Sequence, residues 1–250
     1  MIAKGRVAVI TGAAQGIGLA IAERLANDGV AVMCSDINEK ALHAAVETIC
    51  ANGGIADAYV CDSSDEAQIV TMVDAIIGKY GRIDILVNNA GVTRDAMFKN
   101  MTPAQWDKVI DVNLRGPFLC TSKIVPHMLE KGYGRIINIA STSWLGNVGQ
   151  TNYAASKGAL VSMTRTLALE LAQKGISVNA VAPGLIETSM LMAVPDKIKE
   201  IFVASSPSKR LGKPEEIAHL VAFLADDDSG YIQGQTISAC GGISVGRSAV

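Results

Sequence analysis

Short runs of β-branched and other apolar residues alternate along the chain with longer amphipathic segments. The short runs are RVAVIT (6–11), VAVMCSD (30–36), IADAYVCD (55–62), IDILVNN (83–89), RIINIAS (135–141), ISVNAVAP (176–183) and YIQGQTIS (231–238). They are apolar throughout rather than alternating, the pattern of strands covered on both faces. Between them, segments such as IGLAIAERLAND (17–28) and AQIVTMVDAIIGKY (67–80) carry helical spacing, and longer helices are predicted over about 102–131 and 152–174. Strand–helix alternation of this kind predicts an α/β fold, a doubly wound seven-stranded parallel sheet with helices on both faces. No repeat, linker or shift of composition divides residues 1–250, so one domain is expected. The least regular stretch is 185–212, where Pro195 and Pro207 interrupt the pattern.

Composition removes several classes of function. Apolar residues are 49% and charged residues 18% of the chain, enough for a large core, and the net charge is −2. No basic tract offers a surface to nucleic acid or to an anionic membrane. No apolar run approaches the roughly 18 residues of a membrane span, and Val7–Ile10 is too short for a signal peptide. The five cysteines, at 34, 50, 61, 120 and 240, form no CxxC, and the three histidines lie far apart. Reduced thiols in a cytoplasmic protein without a bound metal are the expectation.

TGAAQGIG (11–18) follows the first strand and opens a helix, with glycines spaced Gly-x3-Gly-x-Gly. Gly12 permits a tight turn, and Gly16 and Gly18 let a pyrophosphate and the helix approach the strand. Gln15 and Ile17 lie in the same loop, and the helix N-terminus supplies amide donors. With the strand before it and the helix after it, this loop predicts a dinucleotide site in a Rossmann-type fold. Asp36 ends the second strand, 18 residues after Gly18. There a carboxylate can hold the adenosine ribose hydroxyls and repel a 2′-phosphate, which selects NAD; the competing reading is a capping box, Asp36 to Glu39. Neither Gln15 nor Ile37 brings the positive charge that a 2′-phosphate would want. Asp62 ends the third strand and reads equally as an adenine contact or a strand-end turn, the capping box of the next helix being Ser63 to Glu66.

TNYAASKGAL (151–160) sets Tyr153 and Lys157 four residues apart, on one helix face. A phenol titrates near ~10 and is a poor base at neutral pH; lowering it by about three units takes about 4 kcal/mol. An ammonium at ~4 Å in an effective dielectric of ~20 supplies about that much. The pair therefore reads as a tuned acid/base, or else as two solvated polar residues. Asn113 precedes Gly116-Pro117, where a proline bend would explain a polar residue equally well. Asn88-Asn89-Ala90-Gly91 and Pro183-Gly184 are turns in isolation.

Taken in order and register, TGAAQGIG, NNAG (88–91), Asn113, Ser141, YAASK (153–157) and PGLIET (183–188) resemble the short-chain dehydrogenases/reductases over essentially the whole chain. The resemblance implies a catalytic set of Asn113, Ser141, Tyr153 and Lys157. Serine and tyrosine flank the substrate oxygen, lysine holds the nicotinamide ribose and lowers the tyrosine pKa, and asparagine helps to hold a relay water. It implies further cofactor contacts from Asn89, Ala90, Gly91, Pro183 and Gly184, with the Ile186 backbone and Thr188 side chain on the carboxamide. A homotetramer built on the two long helices is also implied.

GVTRDAMF (91–98) and GNVGQTNYAASKGAL (146–160) resemble the 3-oxoacyl-acyl-carrier-protein reductase branch, whose members usually use NADPH; Asp36 departs from that. The expectation is an NAD(H)-dependent alcohol dehydrogenase or ketone reductase. Its substrate is an apolar secondary alcohol or ketone, met by Ser141, Ser143, Trp144 and Tyr153, with Leu145, Val148, Met190, Leu191 and Met192 nearby. The alternatives are a 3-oxoacyl-thioester reductase and a non-catalytic NAD-binding regulatory subunit.

Overall fold

The computed structural model describes residues 5–188, 191 and 196–246. Seven strands form one parallel sheet: β1 Val7–Thr11, β2 Ala31–Asp36, β3 Ile55–Val60, β4 Ile85–Asn88, β5 Gly134–Ile139, β6 Ile176–Pro183 and β7 Thr236–Ala239. Their order is β3-β2-β1-β4-β5-β6-β7. Helices α1 Gly16–Asn27, α2 Glu39–Ala51 and α8 Pro214–Ala225 cover one face. Helices α3 Glu66–Tyr80, α5 Gly116–Lys131 and α6 Thr151–Leu171 cover the other. α4 (Pro103–Ile110) leads into α5, and α7 spans Asp196–Ser205.

The central strands feed both layers. In β1, Ala8 and Ile10 join the cluster with Ile21, Leu25 and Val221, while Val7 and Val9 join the one with Ile69, Ile124 and Met128. Two-sided burial is why these runs read as continuously apolar. The edges depart from it: in β3, Ile55 is 59% and Val60 is 50% exposed, and none of β7 is fully buried. β7 also starts five residues later than the expected 231, because Tyr231 stands in solvent and Gly234 takes a left-handed φ of 68°. This approach is still bonded to β6: Gly234 N–H donates to the Val178 carbonyl and Ala180 N–H to the Gln235 carbonyl.

The expected long helix over 102–131 is interrupted. Residues Asp111–Arg115 form a π-helical turn between α4 and α5. Pro117 has no N–H to give the carbonyl of Asn113 four residues back, so the α register cannot run through. The stretch 185–212 is less irregular than its prolines suggest, since it contains α7. Asp226–Asp228, which reads as a solvated helix end, is partly recruited: Asp227 accepts the Tyr133 hydroxyl at 2.6 Å and pairs with Arg6. Among the described residues no helix is long and apolar enough to cross a membrane, and no group of His, Cys, Asp or Glu is placed to hold a metal. All five cysteines are free, and burial pushes the thiols of Cys34 and Cys120 up to about 12.

Candidate active site

The sheet reverses its winding between β1 and β4, and at the C-terminal ends of the strands the connecting loops part. There they leave a cleft of about 940 Å³. Along its floor the glycine loop is shaped by close approach. Gly12 (φ 66°) lies so near residue 90 that a Cβ would meet the Ala90 Cα at 2.9 Å, and one on Gly18 would sit 2.1 Å from the Gly12 carbonyl oxygen. Asn89 donates its amide to the Thr11 and Gly12 carbonyls at 2.9 and 3.0 Å, tying the loop to the end of β4. Thr11 Oγ1 accepts the N–H groups of Asn89 and Ala90. Gly16 lies under Thr188, whose Cγ2 is 3.3 Å from where a Cβ would be. A cradle that any added Cβ would fill, at the N-terminus of α1, fits a dinucleotide pyrophosphate.

Asp36 lines the same cleft, with Gln15 and Ile37 beside it. Its carboxylate accepts the N–H of Ala14 at 3.2 Å and of Asn38 at 2.9 Å. The cap of α2 is Asn38, so the capping-box reading of Asp36 is set aside. Similarly the cap of α3 is Asp65, not Ser63. Asp62 also lines the cleft and makes the strand-end turn, accepting Ser64 N–H at 2.8 Å and Ser64 O–H at 2.6 Å. Despite partial burial, these bonds hold its carboxyl below the usual range, with help from Lys108.

At the other end, three elements converge. Ser141 follows β5 and accepts Ser143 N–H at 3.2 Å. Tyr153 and Lys157 come from the first turns of α6, where the Ser141 hydroxyl acts on the Tyr153 phenol. Asn113, fully buried in the π-helical turn, accepts Val92 N–H at 2.8 Å and donates to the Val92 carbonyl at 2.9 Å. A Cβ on Gly91 would lie 3.3 Å from Asn113 Oδ1 and 3.5 Å from Lys157 Nζ, so these residues share one small space. Pro183, Gly184, Ile186 and Thr188 wall the cleft after β6. Ile186 is pinned by a bridge to Gly212, and its carbonyl accepts Thr188 Oγ1 at 3.4 Å.

The electrostatics differ from the sequence expectation in one respect. Lys157 is buried, donates to the Ile139 carbonyl at 2.7 Å and lies 5.6 Å from the centre of the Tyr153 ring. Burial lowers its own pKa to about 8. Tyr153 is raised, not lowered: burial dominates, the Asp95 charge adds to it, and the Ser141 bond opposes it. In this geometry the lysine alone does not supply the shift expected of it.

Two substrate expectations also change. Trp144 is not in the wall of the cleft. It packs on Ala140, Val161, Ala180 and Ala182, with its indole Nε1 buried and without a partner among the described residues. Leu145 is exposed and likewise outside the cleft, whereas Ser143, Val148 and Leu191 line it; Met190 and Met192 lie outside the described residues. Sequence reasoning missed Asp95 and Gln150, which line the substrate end and bond to each other at 2.9 Å. They are 55 positions apart, on loops without periodicity, and nothing in the spacing links them.

Comparison with known proteins agrees with this architecture. The enoyl-(acyl carrier protein) reductase family matches residues 12–244. The chain is similar to the (2S)-[(R)-hydroxy(phenyl)methyl]succinyl-CoA dehydrogenase subunit BbsD of Thauera aromatica, 46% identical over 97% of this chain and 98% of that one. It is equally similar to the 3-oxoacyl-[acyl-carrier-protein] reductase FabG of Thermotoga maritima, 46% identical over 97% and 99%. Among solved structures, levodione reductase superposes with a TM-score of 0.94 at 38% identity, over 97% of this chain and 98% of that one. The fold, the glycine cradle and these relatives make the chain a member of the short-chain dehydrogenase/reductase family, oxidoreductases that use nicotinamide cofactors, near its 3-oxoacyl-carrier-protein reductase branch.

Proposed function

We propose that this protein is an NAD(H)-dependent oxidoreductase that interconverts a secondary alcohol and a ketone, with Tyr153 as general acid/base. The observation that carries this reading is that one cleft joins Asp36 and the glycine cradle at one end to Ser141, Tyr153 and Lys157 at the other. Gly12, Gly16 and Gly18 would admit the pyrophosphate, Asp36 the adenosine ribose, Lys157 the nicotinamide ribose, and Ile186 and Thr188 the carboxamide. A bound nicotinamide would supply the hydride acceptor for the alcohol, or the hydride donor for the ketone. Ser141 and Tyr153 hold the substrate oxygen. In oxidation, the phenolate oxygen of Tyr153 takes the hydroxyl proton; in reduction, the phenol gives it back. The raised pKa of Tyr153 suits the proton-donating, reducing direction in the free enzyme, and a cation beside the ring would favour the phenolate. Asn113, anchored at both ends of its amide to Val92, holds the wall behind Lys157.

A 3-oxoacyl-thioester reductase is the second reading, supported by the similarity to such enzymes. The two are separated by initial rates on secondary alcohols, simple ketones and a 3-oxoacyl thioester, each with NAD(H) and NADP(H), read as nicotinamide absorbance. Turnover with NAD(H) supports the first; an NADPH-preferring rate confined to the thioester supports the second. Tight NAD binding without turnover would leave a regulatory subunit. A cytoplasmic homotetramer is proposed as the assembly, supported by exposed apolar residues such as Phe118 on α5 and Leu169 on α6. A monomer mass by light scattering would remove it.

A further inference from the structure

The substrate end of the cleft carries a fixed carboxylate. Asp95 lies in the loop after β4, and three bonds from the α6 side hold that loop. Asn152, fully buried one residue before Tyr153, donates to the Arg94 carbonyl at 3.0 Å. Ala96 N–H donates to the Gly149 carbonyl at 2.9 Å. Gln150 Nε2 donates to Asp95 Oδ2 at 2.9 Å. The other end of the Gln150 amide is also engaged, its Oε1 accepting Ser143 Oγ at 3.0 Å and Asn147 Nδ2 at 2.9 Å. Asp95 thus faces the reacting groups from a built position, and its charge is felt at Tyr153.

Cations are scarce there. Among the described residues lining the cleft the only cationic side chains are Lys108 and Lys157. Lys108 acts on Asp62, at the nucleotide end, and Lys157 is turned to the Ile139 carbonyl. Arg94 folds back on the Thr93 carbonyl at 2.8 Å and is absent from the wall. Among the described residues lining the cleft, no guanidinium or free ammonium is therefore placed to receive a substrate carboxylate that meets Asp95.

We propose that the Asp95–Gln150 pair makes this site selective for uncharged substrates. These are ketones and secondary alcohols whose neighbouring group is an ester, a thioester or a hydrocarbon, as against free oxo- or hydroxycarboxylates. The proposal rests on the alcohol–ketone reading above and adds a specificity-determining residue to it. Discrimination of this kind works by repulsion of the wrong substrate as much as by attraction of the right one.

The test compares ethyl 3-oxobutanoate with 3-oxobutanoate, the same skeleton with and without the charge, at saturating NADH. The wild-type enzyme should show a higher kcat/KM for the ester. Asp95→Asn, which keeps an oxygen for Gln150, should raise the carboxylate-to-ester ratio by about tenfold, since Asp95 is exposed and partly screened. Raising ionic strength from about 0.01 to about 1 M shortens the screening length from ~30 to ~3 Å and should raise the same ratio in unmodified protein. That measurement stands even if the variant fails to fold. A wild-type ratio near one, or a ratio that neither the variant nor salt moves, overturns the charge selection while turnover of the ester upholds the alcohol–ketone reading. Wild-type enzyme inert to the ester, the acid and simple ketones alike overturns both.

Discussion

The two ends of the cleft are built by opposite means. At the nucleotide end, function comes from side chains that are missing: Gly12, Gly16 and Gly18 bring backbone against backbone, and a Cβ at position 18 would fall 2.1 Å from a carbonyl oxygen. The helix N-terminus then supplies partial charge at no desolvation cost. At the catalytic end, function comes from side chains whose burial is unfavourable. Lys157 is buried and depressed to about 8, and Tyr153 is pushed up beside it. One end is mainly a shape, with a single carboxylate, Asp36, at its rim; the other is an electrostatic arrangement held by the fold against its own preference. Substitutions at the two ends should therefore fail differently.

The largest expected effect is on turnover at the catalytic end. Tyr153→Phe keeps the ring and removes the oxygen proposed to exchange the proton, so kcat should fall by about 10²–10⁴-fold. NAD affinity, measured by fluorescence titration, should stay close to that of the wild type, because the cradle is untouched. Appreciable turnover in this variant would place the base elsewhere.

Lys157 offers a stability readout that the nucleotide end has no equivalent for. In the unfolded chain a lysine stays protonated up to ~10.4, whereas here it releases its proton at about 8. Between those values the unfolded chain binds more protons, so stability rises with pH through that window; below about 8 the full penalty is present. Lys157→Met should abolish activity yet raise unfolding free energy at pH 7 by about 3 kcal/mol, a gain that shrinks to nothing by about pH 10.5. Urea melts at a series of pH values would show it, and a pH-independent difference would mean that burial of the ammonium costs the fold nothing.

Gly18→Ala probes the other end. A Cβ there strikes Gly12 O and the Asn89 amide, so the glycine loop must shift. The expected loss is about 1–3 kcal/mol of stability, typical of overpacking, together with weaker NAD binding. Neither loss should vary with pH, in contrast to Lys157→Met. A pH-dependent loss would mean that the two ends are electrostatically coupled.

The same contrast explains what the sequence discloses. The glycine loop, the strand-end Asp36 and the Tyr153/Lys157 pair are local patterns, set by turn chemistry and helical spacing, and all line the cleft. Central strands are legible because burial on both faces leaves an unbroken apolar run. What stays hidden depends on distant partners. Trp144 reads as a pocket residue from its place after Ser141, but a single 3-10 turn, Thr142–Leu145, rotates it onto Ala180 and Ala182. The Asp95–Gln150 bond joins loops with no periodic signature. The π-helical turn around Asn113 depends on a missing donor at Pro117, and the direction of the Tyr153 shift depends on how deeply the ring is buried.

The smallest expected effect decides which cofactor the shape-built end accepts. Besides its proposed role toward the cofactor, Asp36 serves the fold, since its oxygens accept Ala14 and Asn38 N–H groups. Replacement by alanine would remove charge and turn together. Asp36→Asn is cleaner: its amide oxygen can keep one of those bonds, while the negative charge that opposes a 2′-phosphate is gone. Gln15 and Ile37 are neutral, so nothing beside the site would positively attract the phosphate, and the gain is confined to relief of repulsion. A change of about tenfold in the NADP-to-NAD ratio of kcat/KM is therefore expected, about 1.4 kcal/mol, rather than a full reversal. The change should appear mainly in KM, because the reacting groups lie at the far end of the cleft. It should also shrink at high salt, which screens the repulsion in the wild type. A wild-type enzyme that already prefers NADP, or an Asn variant whose ratio does not move, would leave Asp36 as a brace between the glycine loop and α2, with cofactor choice determined elsewhere.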